Sequence, residues 1–194
     1  MNDDTIRVYD ARAREYADAV DTGKDEAMQA FLAGLPEGGQ VLDWGCGPGH
    51  AAAAMAAAGL SVLATDGSAE MVRLAQAQPG VDAHQATFDD LTAQEAFDGI
   101  WASFSLLHAP RAAMPGHLAA AHRALRSGGA FWIGMKLGSG EKVDRLGRFY
   151  TYYSEAELQD CLTEAGFTVL QSDVSEVRGL TGDLEACVAI LARA

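Results

Sequence analysis

The run Val41-Leu42-Asp43-Trp44-Gly45-Cys46-Gly47-Pro48-Gly49 constrains the fold more than any other stretch of the chain. An apolar pair leads into an acid, three glycines recur at alternate positions, and an alanine-rich segment from Ala51 to Ala58 follows at once. Together these describe a buried strand, a sharp turn and a helix, the local context of a glycine-rich nucleotide-binding loop. Glycine here lets the backbone turn, and lets a ligand lie against main chain where a Cβ would collide with it. Dinucleotide loops read G-x-G-x-x-G and seat a pyrophosphate at the helix N-terminus, whereas this one reads G-x-G-x-G. Pro48 before Gly49 suits the pyrophosphate arrangement poorly, and a carboxylate at Asp43 repels phosphate and attracts a cation. A cationic ligand lacking a pyrophosphate is the expectation.

The rest of the chain alternates strand and helix signals. Ser61 to Thr65 is a second short apolar strand ending at Asp66, about 20 residues past the glycine loop, where doubly wound folds place an acid on the ribose hydroxyls. Ser68 is positioned to cap the next helix. Gln78-Pro79-Gly80 is a turn, and Val81 to Ala86 a weak third strand. Phe97 to His108 reads as a fourth strand and its exit loop, putting Ser103, Phe104 and His108 at the edge where ligands bind in open α/β sheets. A helix from about Arg111 to Leu125 stops at the turn Arg126-Ser127-Gly128-Gly129, before a fifth strand from Ala130 to Met135. Ser154-Glu155-Ala156-Glu157 is a capping box opening a helix that stops at Gly166. Phe167 to Leu170 and Ala186 to Ala192 are the last strands, separated by a turn through Gly179 to Gly182. Ahead of the glycine loop, residues 5 to 33 form two helices broken near Thr22-Gly23, the first striped by Tyr9, Ala13, Tyr16, Ala17 and Val20.

Composition removes several function classes. A length of 194 residues suits one well-buried domain. The net charge of −13 argues against a nucleic-acid partner, which is bound through clustered Lys and Arg. Cys46, Cys161 and Cys187 are few, odd in number and widely spaced, the pattern of reduced thiols in a cytoplasmic protein without a metal site. His117 and His122, five apart, do not share a helix face as metal ligands would. The start carries no export signal, and no apolar run reaches membrane-spanning length.

The stretch at 41–49 with Asp66 resembles the glycine motif of the class I S-adenosylmethionine-dependent methyltransferases, whose ligand carries an ammonium and a sulfonium. The likeness continues in Phe97-Asp98-Gly99-Ile100, in the order of Leu125, Gly128-Gly129 and an aromatic strand, and in Tyr9 to Ala17. That last segment is similar to the N-terminal helix that closes over the ligand in small-molecule members. The resemblance implies a Rossmann-like, doubly wound α/β fold: a seven-stranded sheet, mostly parallel with the last strand antiparallel, and helices on both faces. It implies one domain over 1–194, with 1–35 a helical lid and 36–194 the core. It further implies S-adenosylmethionine as cofactor, S-adenosylhomocysteine as product, and methyl transfer to an O, N or S nucleophile by in-line displacement. The cofactor contacts it points to are Tyr16, Asp43, Gly45, Cys46, Gly47, Gly49, Asp66, Gly67, Met71 and Ser103. Ala86-Thr87 stands where the family has a Gly-Asp pair on the adenine, so Phe88 and Asp89 are expected to serve that base from a shifted position.

The segment from Lys136 to Tyr153 concentrates cationic side chains and tyrosines in an otherwise acidic chain and leaves the C-terminal edge of a strand. Lys136, Arg145 and Arg148 are expected to clamp an anionic or aromatic small-molecule acceptor. Tyr9, His108 and Tyr152 are expected to line its site, and His108 or Tyr150 to act as base. The expected state is a monomer or homodimer. Two other classes share these features: a nicotinamide-dependent oxidoreductase, and a regulatory protein that binds S-adenosylmethionine without turnover.

Overall fold

The computed structural model describes residues 3–19, 26–178 and 182–194. The N-terminal helices are α1 (Asp3–Ala19), kinked at Arg12, and α2 (Glu26–Ala33). The expected break at Thr22-Gly23, the stripe residue Val20, and most of the turn from Gly179 to Gly182 lie outside the described residues. The first half of the core runs β1 (Gln40–Trp44), α3 (His50–Ala57), β2 (Ser61–Asp66), α4 (Ala69–Ala75) and β3 (Asp82–Gln85). The second half runs β4 (Phe97–Ser103), α5 (Met114–Ala124), β5 (Leu125–Lys136), β6 (Glu141–Val143), β7 (Phe149–Thr151), α6 (Glu155–Glu164), β8 (Thr168–Arg178) and β9 (Leu184–Arg193).

Seven strands form one sheet in the order β3-β2-β1-β4-β5-β9-β8. β9 pairs antiparallel with both β5 and β8, and the other pairings are parallel. The order reverses between β1 and β4, which opens a crevice at their C-terminal ends and places the glycine loop at its mouth. Side chains alternate across the sheet with the period of two that a strand imposes. Val41, Trp101 and Trp132 pack on one face with Phe31 of α2, Met55 of α3 and Val72 of α4. Leu42, Ile100 and Phe131 pack on the other with Leu118 of α5 and Leu158 of α6. Trp101 and Trp132 are register partners and stack with centroids 3.9 Å apart.

Local chemistry sets the element ends. Ser68 caps α4 by accepting from Met71 N at 3.1 Å, and Ser154 with Glu157 makes a complete capping box at α6. Gly49 starts α3 at φ +83°, and a Cβ there would lie 2.8 Å from Ala75, so α3 and α4 approach closely only around a bare backbone.

Two segments differ from the sequence reading. Arg126 to Gly129 is an irregularity inside a continuous β5, because the pairing steps from Phe97↔Leu125 to Gly99↔Ala130 while Gly128 N donates to Ala194 O at 2.8 Å. The stretch expected as a loop from 136 to 153 contains the antiparallel hairpin β6–β7, turned by Asp144, whose Oδ1 accepts from the backbone N–H groups of Leu146 and Arg148. No helix among the described residues is long and apolar enough to cross a membrane.

Candidate active site

The glycine loop is bent by the residues that follow β2 and β4. Gly45 N and Cys46 N both donate to Thr65 O, at 2.8 and 2.9 Å, which holds the loop over the end of β2. Gly45 has φ +84°, and a Cβ there would stand 2.2 Å from Ser105 Cβ. Ser105, which the sequence reading missed, is itself fixed by donating to Trp44 O at 2.6 Å. Asp66 closes the other side: Gly47 N donates to Oδ2 at 2.9 Å and Ser68 N to Oδ1 at 2.8 Å. Burial raises the Asp66 pKa and these N–H groups oppose the rise.

Asp43 lies behind the loop, 1% exposed, and its Oδ2 has no hydrogen-bond partner among the described residues. Burial pushes its pKa up to about 7, the Asp66 charge adds to the rise, and the Ala52 N–H offsets part of it. The ordinary value is 3.8, so as pH climbs from there the unfolded chain loses this proton while the native protein keeps it, and native stability falls until about 7. A bound cation favours the ionised form, so its affinity rises over the same window and binding releases a proton. Asp43→Asn is expected to remove both effects, raising stability at about pH 8 relative to about pH 5 and flattening the pH dependence of ligand affinity. Denaturant melts and calorimetry at the two pH values check this, and a variant that keeps the wild-type slope contradicts it.

Between loop and α1 lies a cleft of about 390 Å³. Tyr16, Gly45, Gly47, Asp66, Met71, Phe88 and Ser103, all expected at the cofactor, line it, as do Tyr9 and His108 from the acceptor set. Phe88 stands edge-on to Trp44 with centroids 5.4 Å apart. Phe104 also lines the cleft at φ +50°, a strained value for a bulky residue of the kind that gathers at functional sites. Five expected cofactor residues are outside the lining. Asp43 and Cys46 are buried beneath the loop, Gly49 is committed to the contact with Ala75, and Gly67 accepts from Gln85 Nε2 through its carbonyl. Asp89 is a correction: it sits on the exposed side of the short 3₁₀ turn from Phe88 to Asp90, because that turn directs Phe88 inward.

α1 is tied down at three places. Thr5 Oγ1 accepts from Phe149 N at 2.9 Å, and Tyr9 Oη meets His108 Nε2 at 2.8 Å. Asp10, also missed from sequence, accepts from Ser68 Oγ at 2.6 Å and from Glu70 N at 3.2 Å. Because Ser68 also donates to Asp66, Asp10 joins the helix to the acid at the end of β2. Asp10→Ala is expected to speed dissociation of a ligand held under α1 by about 10-fold, the value of one hydrogen bond to a charged group. Stopped-flow release of S-adenosylhomocysteine measures it, and an unchanged rate counts against the latch.

The acceptor-side expectations need correction. Arg148 is 3% exposed and grips Asp144 with Nε at 2.9 Å and Nη2 at 2.7 Å, so its fork is already used. Lys136 pairs with Glu185 and lies 4.0 Å over the Tyr150 ring. Arg145 is mostly exposed, with Nη2 3.8 Å from Asp183. The three cations thus meet three carboxylates and do not converge as a clamp. Tyr150 is buried, packs 4.6 Å from His108, and burial raises its pKa, which opposes the anion a base would need. Tyr152 lies outside the cleft lining, its ring facing Lys142 at 5.4 Å. His108 does reach the cleft, yet burial drives its pKa down to about 3. His117 and His122 pack against Phe88 and Phe167, and no His, Cys, Asp and Glu group among the described residues is arranged to hold a metal.

Comparison with known proteins agrees with this geometry. A family profile described as a methyltransferase domain matches residues 41–129, from the glycine loop to the start of β5. A Burkholderia thailandensis 1,6-didemethyltoxoflavin-N1-methyltransferase with bound 1,6-didemethyltoxoflavin and S-adenosylhomocysteine is 26% identical, with a TM-score of 0.71 over 97% of this chain and 87% of that one. An S-adenosylmethionine-dependent methyltransferase from Methanosarcina mazei is 21% identical, with a TM-score of 0.76 over 87% of this chain and 97% of that one. One from Mesorhizobium loti is 20% identical, with a TM-score of 0.70 over 90% of this chain and 100% of that one. No curated protein matches the sequence. The matched profile makes residues 41–129 a methyltransferase domain, and the sheet order with its glycine loop gives the whole chain the fold of the S-adenosylmethionine-dependent methyltransferases.

Proposed function

We propose that the protein methylates a small, neutral, aromatic or heteroaromatic acceptor held between α1 and the C-terminal ends of β1 and β4. The observation that carries this reading is the acceptor side of the cleft: Tyr9, Phe104 and His108 present rings, while Lys136, Arg145 and Arg148 are each beside a carboxylate. A neutral ring gains contact area against such a wall, and an anion gains no free cation. The relative from Burkholderia thailandensis, with its bound 1,6-didemethyltoxoflavin, supports a ring acceptor and a nitrogen nucleophile.

The residues fit the methyl donor. A buried carboxylate with an unpartnered oxygen and a second, half-buried one suit its cationic groups, and the bare backbone at Gly45 and Gly47 suits close approach. On this reading Asp66 takes the ribose, Met71 and Phe88 flank the adenine, and Tyr16 covers the ligand from α1. Bound S-adenosylmethionine supplies an electrophilic methyl and its own leaving group. What remains for the protein is to exclude water and align the acceptor, which suits a site walled by rings. We also read the chain as one domain, with residues 1–35 as the lid over a 36–194 core, and the three free cysteines as those of a cytoplasmic enzyme. Methyl transfer to isoquinoline and to naphthoate tests the acceptor class. Preference for the neutral ring by about 10-fold in kcat/KM is expected, and preference for the acid would restore the clamp.

A further inference from the structure

Resting on that reading, we propose that the natural acceptor attacks through a lone pair that carries no proton, of the kind on a pyridine-type ring nitrogen, so that the enzyme supplies no general base. The argument starts from the two ends of a hydrogen-bond chain at the acceptor wall. One end is the Arg148 guanidinium, which only donates; its Nη1 lies 3.4 Å from Tyr9 Oη. The other end is the Phe149 carbonyl, which only accepts; it lies 2.6 Å from His108 Nδ1. The proton therefore belongs on Nδ1, and Nε2 presents its lone pair. Tyr9 Oη, 2.8 Å from Nε2, must then be the donor in that contact. Every proton in the chain points the same way, from arginine through tyrosine and histidine to the carbonyl.

This direction leaves the wall without a spare base. The Nε2 lone pair is taken by Tyr9, and the Tyr9 proton is taken by Nε2. Protonating His108 would put a second donor against Tyr9, in a buried position with the charges of Arg148 and Lys136 nearby. The groups facing that ring are Tyr9 from α1, Lys136 from β5, and Asp144, Arg148 and Tyr150 from the β6–β7 hairpin. Burial outweighs Asp144, the one group among them that favours the cation besides the carbonyl bond. The other titratable residues lining the cleft, among those described, are Tyr16 and Asp66. Tyr16 is a half-buried phenol held protonated, and both Asp66 oxygens accept backbone N–H groups on the cofactor side. A phenol or a protonated amine would enter with a proton and find nothing to receive it.

A pyridine-type nitrogen avoids the problem. Its lone pair forms the new bond to the methyl carbon as the carbon–sulfur bond breaks with its electron pair left on sulfur. The positive charge moves from sulfur to the ring, and no proton changes place. Tyr9 and His108 then act as positioning residues, a rigid wall whose hydrogen-bonding capacity is satisfied internally.

Two measurements on the full-length protein test this, after calorimetry has established that S-adenosylhomocysteine binds; failure to bind would remove the methyltransferase-site reading itself. In the first, the ring nitrogens of His108 are followed by ¹⁵N NMR in the S-adenosylhomocysteine complex. The proposal expects the Nδ1–H form throughout, from about pH 5 to about pH 9. A titration of His108 inside that range overturns it. In the second, S-adenosylmethionine is supplied with either isoquinoline or naphthol. With S-adenosylmethionine saturating, formation of N-methylisoquinolinium at a rate whose only pH dependence is the probe's own protonation, with naphthol turnover following only its own ionisation, supports the proposal. Methylation of un-ionised naphthol, with a rate limb that is not the probe's own, overturns it. If neither probe is turned over, the NMR result decides.

Discussion

Asp66→Ala is expected to weaken S-adenosylhomocysteine binding by at least about 100-fold, with the fold intact. The carboxylate has two duties. It pins the glycine loop through Gly47 N and the start of α4 through Ser68 N, and on the proposed reading it also meets the ribose. Hydrogen bonds to a charged group are worth about 1.5–3 kcal/mol each, so losing two from the complex accounts for the expected factor. Asp66→Asn is the informative companion. It keeps one acceptor oxygen, so it should retain part of the loop geometry while losing charge, and it should bind more tightly than the alanine variant. Calorimetry of both variants measures the difference. Wild-type affinity in Asp66→Ala would remove the assignment of this acid.

Gly45→Ala should cost both stability and binding. The residue sits at φ +84°, and the new Cβ would stand 2.2 Å from Ser105 Cβ and 2.9 Å from its Oγ. Ser105 cannot retreat freely, because its hydroxyl is committed to Trp44 O at 2.6 Å. Left-handed strain and the forced displacement each contribute about 1–3 kcal/mol, giving a loss of about 3 kcal/mol or more. For a chain of this length that lowers Tm by about 6–12 °C. Gly59→Ala is the control, since Gly59 has φ +90° with nothing within 4 Å of a new Cβ. Its loss should be strain alone, about 1–2 kcal/mol. Equal melting temperatures for the two variants would mean that Ser105 does not wall the loop.

Features that depend on neighbours in sequence were legible before the fold was known. Val41-Leu42 buries on opposite faces of the sheet as the period of a strand requires, and the glycines and Asp66 sit at the ends of the first two strands, where the turn and its spacing are local properties. Ser68 and Ser154 announced their helices for the same reason. Most of what was not legible depends on residues far apart in the chain, and the remainder on the local geometry of a turn. Lys136 and Arg145 look like free cations in a local window, but their partners Glu185 and Asp183 arrive with β9 and the residues just before it. Arg148 reads as a ligand for an anion until the hairpin turn brings Asp144 against it. Asp10 lies within a helix that looks merely amphipathic, and its role is set by α4 packing beside α1. His108 looks like a base because the sequence does not show Tyr9 and the Phe149 carbonyl occupying its two nitrogens. Asp89 and Phe88 are adjacent, and only the pitch of the 3₁₀ turn decides which of them faces the cleft.

The central claim is that a cationic adenosyl ligand binds under α1 where the bare glycine loop meets Asp43 and Asp66. A crystal structure of the protein with S-adenosylhomocysteine tests it most directly. The account predicts the ribose hydroxyls within hydrogen-bonding distance of Asp66, the adenine between Met71 and Phe88, and Tyr16 over the ligand. A complex in which Asp66 makes no ligand contact, with the nucleoside bound away from the glycine loop, would contradict it.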